Sequence, residues 1–275
     1  MIRRIVGLAV VALTWGAVLT FARPASADHW DGTPNVITWN MCNGQSAPCN
    51  NDATDLPARD LVNAVEDAQF KPMAIMLQEV CLASRVYLFN ELTPLGYSSA
   101  YINSNTMSSR CKEHGNVVMW LGGCYGGTAS SCSARAYYPA GDQHANDDDT
   151  RGWVCGRGAF PSFTSCSTHL TQKSDQVAGQ QSERYRTLVS FYAGITPMTN
   201  AGGDFNIVGP NGVQYWHQAW LESDDPLWRA THQSEGKIDF IFTPRSQCRP
   251  RLAELVDTIR SDHHRLYGYP KAQPC

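Results

Sequence analysis

The chain has 275 residues, with 22 Lys and Arg against 25 Asp and Glu and a net charge of −3. That length makes one large domain or two small ones, and no tract rich in Pro, Gly and Ser divides it, so a single domain is expected. A net negative chain has no global pull toward a polyanion, which argues against tight nucleic-acid binding but leaves room for a locally basic groove.

Residues 1–27 read as a secretory signal peptide. Arg3 and Arg4 open the segment, Ile5 to Phe21 is apolar, and Ala25-Ser26-Ala27 offers a small-residue cleavage site. Cleavage there would remove Arg3, Arg4 and Arg23, leaving 19 basic against 25 acidic residues, net −6. No later run is long and apolar enough to span a bilayer. The expectation is a secreted, extracellular domain over 28–275, without stable membrane insertion, with no protein partner evident and monomeric.

Val36 to Asn40 and Met73 to Gln78 have the length and apolar content of buried strands, and Leu56, Leu61, Val65 and Ala68 between them follow helical spacing. A second helix is predicted over Ser84 to Leu95, stopped by Gly96. Asn103 to Gly158 is rich in Gly, Ser, Cys and Asn and reads as loop-heavy, with short strands at Asn116 to Leu121 and Ala134 to Tyr138. Within it, Asp147-Asp148-Asp149 reads as a solvated loop. A run at Phe163 to Thr168 is followed by a third helix carrying Tyr185, Leu188, Val189 and Tyr192 at i, i+3, i+4 and i+7. Strand character resumes at Met198 to Phe205 and Lys237 to Phe242, and the spacing of Trp216 and Trp220 suggests the core face of a helix.

The ten cysteines are an even number in a chain read as exported, and no Cys-x-x-Cys pair argues for zinc. Successive pairing gives short loops: 42–49, 81–111, 124–132, 155–166 and 248–275. The 155–166 bridge would join the arms of a hairpin whose turn contains Gly156, Gly158 and Pro161.

Polar motifs close the apolar runs in order: Trp39-Asn40, Gln78-Glu79, Thr168-His169, Gly203-Asp204-Phe205-Asn206 and, after Ile238-Asp239-Phe240, Ser261-Asp262-His263. An acid, amide or imidazole just past a strand core sits where neighbouring strands can converge side chains on one point. Donors rich in carboxylate and amide oxygen, without a thiolate, suit a hard cation such as Mg²⁺. Metal-assisted attack on a phosphate ester follows.

In this order the motifs resemble those of the endonuclease/exonuclease/phosphatase superfamily, the deoxyribonuclease I-like fold, from about Val36 to about Tyr267. The resemblance implies an α/β, four-layer sandwich of two mixed β-sheets flanked by helices; periodicity alone shows only that helices and strands are mixed. It implies a metal-dependent phosphoric ester hydrolase using Mg²⁺, with Mn²⁺ or Ca²⁺ as substitutes. Glu79, Asn40 and Asp262 would hold the metal. His169, Asp204, Asp239 and His263 would be catalytic, with Asp239 fixing the tautomer of His263, and the acid and base roles of the two imidazoles stay open. Asn206, Asn116 and Arg110 would bind substrate phosphate, with His114 a further helper.

The sequence departs from the superfamily pattern at Cys42, where many relatives carry Asp or Gln. It also places Asn116, not Arg, where deoxyribonucleases grip phosphate. Arg245, Arg249, Arg251, Arg260, Arg151 and Arg157 favour a nucleic-acid substrate, DNA or RNA. The alternatives are a phosphoesterase acting on phospholipid (sphingomyelinase-like) or a small molecule, and a catalytically silent binding or toxin subunit. Trp216, Trp220 and Trp228 are the loose candidates for membrane contact.

Overall fold

The computed structural model describes residues 36–41, 55–68, 71–105, 111, 113–124, 131–159, 162–208, 213–223, 229–234, 236–247, 249–258 and 260–271. The expectations for residues 1–27, Arg110, Trp228 and the 42–49 and 248–275 bridges lie outside the described residues.

The expected alternation opens the fold. β1 (Val36–Asn40), α1 (Leu56–Asp67) and β2 (Ala74–Cys81) form a parallel strand pair joined by a helix. A second such unit is β7 (Phe163–His169), α3 (Asp175–Ala193) and β8 (Thr199–Asp204). Antiparallel strands extend both pairs. β3 (Tyr97–Asn103), β4 (His114–Leu121), β11 (Arg249–Val256) and β12 (Arg265–Lys271) complete one six-stranded sheet in the order β11-β12-β1-β2-β4-β3. β5 (Ser133–Tyr137), β6 (Gly152–Gly158), β9 (Trp220–Glu222) and β10 (Asp239–Pro244) complete the other, β5-β6-β7-β8-β10-β9.

Strand periodicity explains the layers, because alternate residues face opposite sides of a sheet. In β2, Ala74 and Met76 join a core that includes Val118, Trp120, Val154, Phe163 and Ile241 from both sheets. Ile75 and Leu77 face the other way, toward Leu61, Val65, Leu88 and Leu92 of α1 and α2 (Leu82–Leu92). In β10, Phe240 and Phe242 pack with Tyr185 and Val189 of α3 while Ile241 points between the sheets. The central strands β1, β7, β8 and β10 are thus buried along their whole length on both faces.

Several expectations are corrected. Within 103–158 the expected short strands are β4 and β5, and β6 is an addition that its glycines permit by close packing: a Cβ on Gly156 would lie 2.1 Å from the Trp120 ring and one on Gly158 2.2 Å from Phe163. These glycines belong to β6, not to the hairpin turn. Cys155 and Cys166 are cross-strand partners in that hairpin and are bridged, as are Cys81–Cys111 and Cys124–Cys132. Trp216 lies in a short 3-10 turn (Trp216–Gln218) and Trp220 opens β9. Both are buried in an aromatic cluster with Phe205 and Phe242 and present no membrane-contacting surface. β11 and β12 had no clear apolar alternation to announce them.

The 147–149 loop is not simply solvated. Arg151 is buried, and its Nε and Nη2 donate to Asp147 at 2.8 and 3.0 Å, because a buried guanidinium needs an opposite charge. Burial alone would raise the Asp147 pKa, but the hydrogen bond and charge of Arg151 outweigh it and hold the carboxyl below its ordinary value. Such a group stabilises the fold above its unfolded pKa, and that contribution is lost as pH falls through the depressed folded value. Asp147→Asn should therefore cost about 3 kcal/mol near neutral pH and flatten the acid limb of a stability-versus-pH curve measured by urea unfolding. An unchanged acid limb would show that the pair contributes nothing there.

Two glycines test the strand register. Gly203 has φ +148°, and a Cβ there would lie 2.1 Å from the Thr168 carbonyl oxygen, whereas a Cβ on Gly179 in α3 meets nothing within 4 Å. Gly179→Ala should raise stability by about 0.5–1 kcal/mol. Gly203→Ala should lower it by at least about 1–3 kcal/mol, since the β7–β8 backbones cannot separate freely. Denaturant midpoints of the two variants check both signs.

Candidate active site

Asn40 ends β1 opposite Gln78 of β2, so the next residue, Glu79, emerges at the same end of the first sheet. The β2–β4 register shifts between Leu77 and Val80, and Glu79 adopts φ +53°. This bulge decides where the carboxylate goes. In an unbroken strand Glu79 would follow Ile75 and Leu77 into the apolar layer under α1 and α2; with the extra residue Val80 takes that place and Glu79 turns out of it. Just beneath, Gln78 Nε2 donates to Ser167 Oγ on β7 at 2.9 Å, tying the two sheets together.

The second sheet supplies three residues in register. His169 ends β7 opposite Asp204, which ends β8, and Asp204 in turn lies opposite Asp239 at the start of β10. All three are buried. Asn206, at φ +50°, donates its backbone N–H to Asp204 Oδ1 at 2.9 Å and its Nδ2 to the Leu170 carbonyl at 2.8 Å.

The loop before β12 closes the site from a third side. Ser261 Oγ donates to the Asn40 carbonyl at 2.8 Å, the His263 N–H donates to Ser261 Oγ at 3.0 Å, and Trp39 Nε1 donates to the His263 carbonyl at 3.1 Å. These bonds seat the imidazole: His263 Nδ1 donates to Asp239 Oδ2 at 2.9 Å, and Nε2 lies 3.7 Å from Asp204 Oδ2 and 3.9 Å from Asp262 Oδ1. The expected Asp239–His263 pair is present.

Asp204 Oδ2 joins the parts, with Asn40 Nδ2 at 2.9 Å and His169 Nε2 at 3.4 Å, while Asn40 Nδ2 also reaches Glu79 Oε1 at 3.3 Å. The structure therefore brings Asn40, Glu79, His169, Asp204, Asp239, Asp262 and His263 into one connected cluster. Asp262 enters through His263. Asn116 lines the recess beside Glu79 and His169 and donates Nδ2 to the Gly152 carbonyl at 3.1 Å. Of the other proposed phosphate contacts, Arg245 donates to the His217 carbonyl and Arg260 lies 3.5 Å from Asp60.

Burial and crowded charge set the electrostatics. Burial, with Asp239 adding repulsion, pushes the Asp204 pKa up to about 7 against the opposing charge of His263. Burial pulls His263 down, but the charge and hydrogen bond of Asp239, with Asp204 and Asp262, outweigh it and lift its pKa to about 10. His169 is held well below its ordinary value by burial and then by the charge of Arg151, so its ring stays neutral.

Asp204, Asp239 and His263 each offer a ligand atom within 4.8 Å of the others, as do His232, Asp262 and His263. Asp239 Oδ1 is buried without a hydrogen-bond partner among the described residues. An oxygen-rich, acid-heavy set with an orphaned carboxylate oxygen fits a hard divalent cation. His232 was missed by the sequence reading. Its Nε2 lies 3.3 Å from Asp262 Oδ2, its Nδ1 accepts from the Ser234 N–H at 3.2 Å, and its ring stands edge-on to His263 at 4.6 Å between centroids. It reaches the site by isolated bridges to Gly236 and His263, which leave no apolar run as a signal.

The bulge yields a test. A non-glycine residue in the left-handed region costs about 1–2 kcal/mol, so Glu79→Gly should raise the unfolding free energy while removing the carboxylate expected to bind metal. Calorimetric melts together with a Mg²⁺ titration should show a tighter fold with weaker metal binding. A variant that melts lower and binds metal normally would contradict this account of Glu79.

No protein-family profile matches the sequence, and no curated protein matches it. Solved structures do. The endonuclease/exonuclease/phosphatase from Beutenbergia cavernae is similar with a TM-score of 0.65 at 17% identity, over 86% of this chain and 70% of that one. The endonuclease/exonuclease/phosphatase from Bacteroides vulgatus gives 0.66 at 12% identity, over 88% and 99%. D. rerio TDP2 complexed with a single-strand DNA product gives 0.59 at 14% identity, over 86% and 98%. With two six-stranded mixed sheets between helical layers, this chain has the endonuclease/exonuclease/phosphatase fold.

Proposed function

We propose that this protein is a secreted, monomeric, Mg²⁺-dependent phosphodiesterase of the endonuclease/exonuclease/phosphatase superfamily that hydrolyses DNA or RNA. The observation that carries the reading is the convergence of Asp204, Asp239 and Asp262 on His263, with Glu79 joined to Asp204 through the Asn40 amide. So many buried or half-buried acids in one place call for a cation beyond one imidazolium. TDP2 in complex with a DNA product shares the fold, which favours a nucleic-acid strand over lipid. The buried positions of Trp216 and Trp220 favour it too. The three bridged cysteine pairs suit an oxidising, extracellular setting.

Glu79, Asn40 and Asp262 would hold the metal, which when bound supplies charge neutralisation at the phosphoryl oxygens. His263, with Nδ1 pinned by Asp239, presents Nε2 as the atom that exchanges a proton with water or the leaving oxygen. His169, kept neutral, has its Nε2 held 3.4 Å from Asp204 Oδ2, which would set its ring beside the phosphate. Asp204 orients His169 and Asn40 together, and Asn206 and Asn116 border the space where the phosphate would lie.

The test is a Mg²⁺-dependence assay offering plasmid DNA, RNA, sphingomyelin and bis(4-nitrophenyl) phosphate side by side. Glu79→Gln and His263→Ala should each lower nucleic-acid cleavage by about 10²–10⁴-fold with the fold intact by circular dichroism. Turnover of sphingomyelin alone would redirect the assignment to a lipid phosphodiesterase. Inactivity of the unaltered protein on every ester would remove the hydrolase reading.

A further inference from the structure

His232 stands beside two residues of the cluster, with its Nε2 3.3 Å from Asp262 Oδ2 and its ring edge-on to His263. Its ligand atom lies within 4.8 Å of theirs, so by distance alone it qualifies as a third metal ligand. The other ring nitrogen decides against that. Nδ1 accepts the Ser234 N–H at 3.2 Å, and Ser234 Oγ lies 3.3 Å from the same atom. A backbone N–H can only donate, so Nδ1 carries no proton and the proton of the ring sits on Nε2. A protonated Nε2 has no lone pair to offer a cation. It faces Asp262 Oδ2 as a hydrogen-bond donor instead.

The backbone around this pair is tied down from several sides. The Thr231 and His232 N–H groups donate to the Gly236 carbonyl at 3.1 and 3.0 Å, closing a tight turn in which Gly236 has φ +90°. The Gln233 N–H donates to the Asp262 carbonyl at 2.9 Å, and the His264 N–H to the Thr231 carbonyl at 2.8 Å. Thr231 Oγ1 accepts the Ile238 and Asp239 N–H groups at 3.0 and 2.9 Å, which joins the same turn to the start of β10. The main chain of Asp262 is thereby set, and the freedom that remains is rotation of its carboxylate. His232 holds Oδ2, which places Oδ1 on the side of His263 Nε2, 3.9 Å away. Both partners are 8% exposed, so little water can supply the bond in place of His232.

We infer that His232 is a positioning residue: it turns the Asp262 carboxylate so that Oδ1 is presented to the cluster, and it is not itself a metal ligand. The inference rests on the phosphodiesterase reading above, in which Asp262 helps to hold the cation, and deepens it by assigning what orients that ligand. A hydrogen bond from an outer group to a ligating carboxylate narrows its orientations, and so strengthens metal binding without contact to the ion.

Two measurements test it. The first is a ¹⁵N spectrum of the histidine-labelled protein, without and with Mg²⁺, in which His232→Gln identifies the His232 signals. The ring should carry its proton on Nε2 in both states. A proton on Nδ1 in either state would overturn the inference. The second measures Mn²⁺ binding, by the electron paramagnetic resonance of the free ion, for the unaltered protein, His232→Gln and His232→Phe. The Gln amide can donate from nearly the place of Nε2, whereas Phe keeps a ring but cannot donate. His232→Phe, shown to be folded by its melting curve, should weaken Mn²⁺ binding about tenfold or more, while His232→Gln keeps most of the affinity. Equal losses in both variants would make His232 a ligand, and unchanged affinity in His232→Phe would make it a bystander; either result overturns the inference. Ester cleavage alongside Mn²⁺ binding indifferent to His232 would leave the phosphodiesterase reading standing without it. Mn²⁺ binding that needs a donor at position 232, in a protein that cleaves no ester, would keep the role of His232 and overturn the enzyme.

Discussion

A single carboxylate, Asp204, holds the site together. Its Oδ2 meets Asn40 from the first sheet, His169 from the neighbouring strand and His263 from the loop before β12, while Oδ1 accepts the Asn206 N–H. A fully buried carboxylate is costly unless its lone pairs are met and its charge is answered. Each of those partners is thereby fixed in space. The sheets can close over Asp204 only in the register that presents the partners to it, and this constraint makes the ends of β1, β2, β7, β8 and β10 one place.

The protein also spends conformational energy where it has chemistry to support. Glu79 and Asn206 both occupy the left-handed region, unusual for residues with side chains, and both border the cluster. Their surroundings are correspondingly stiff. The Gln78–Ser167 bond pins the sheets beneath Glu79, and the Cys81–Cys111 bridge restrains the strand end just beyond it. Rigid backing of this kind keeps side chains converged without a ligand to hold them.

Much of the site was legible because its residues follow local apolar runs. Asn40, Glu79, His169 and Asp204 end strands or stand one residue past a strand core, and the Asp239–His263 pair lies where the motif order placed it. Less was legible where function depends on irregular backbone. His232 arrives on isolated bridges, and nothing in Thr231-His232-Gln233 distinguishes it from a loop. The 147–149 acids look like solvated charge until Arg151 is seen buried among them. Gly156 and Gly158 look like turn residues until Trp120 and Phe163 are seen to need their space.

By itself the sequence determined the alternation of strands and helices, the ends of the principal strands and the chemical types gathered at those ends, because periodicity and side-chain chemistry are properties of neighbouring residues. Only the tertiary structure decided the direction of Glu79, the joining of Asp262 to His232 and the inward turn of the 147–151 segment. Those outcomes depend on a register shift between strands and on opposite charges buried together from distant parts of the chain. Such energies exist only once the sheets have met.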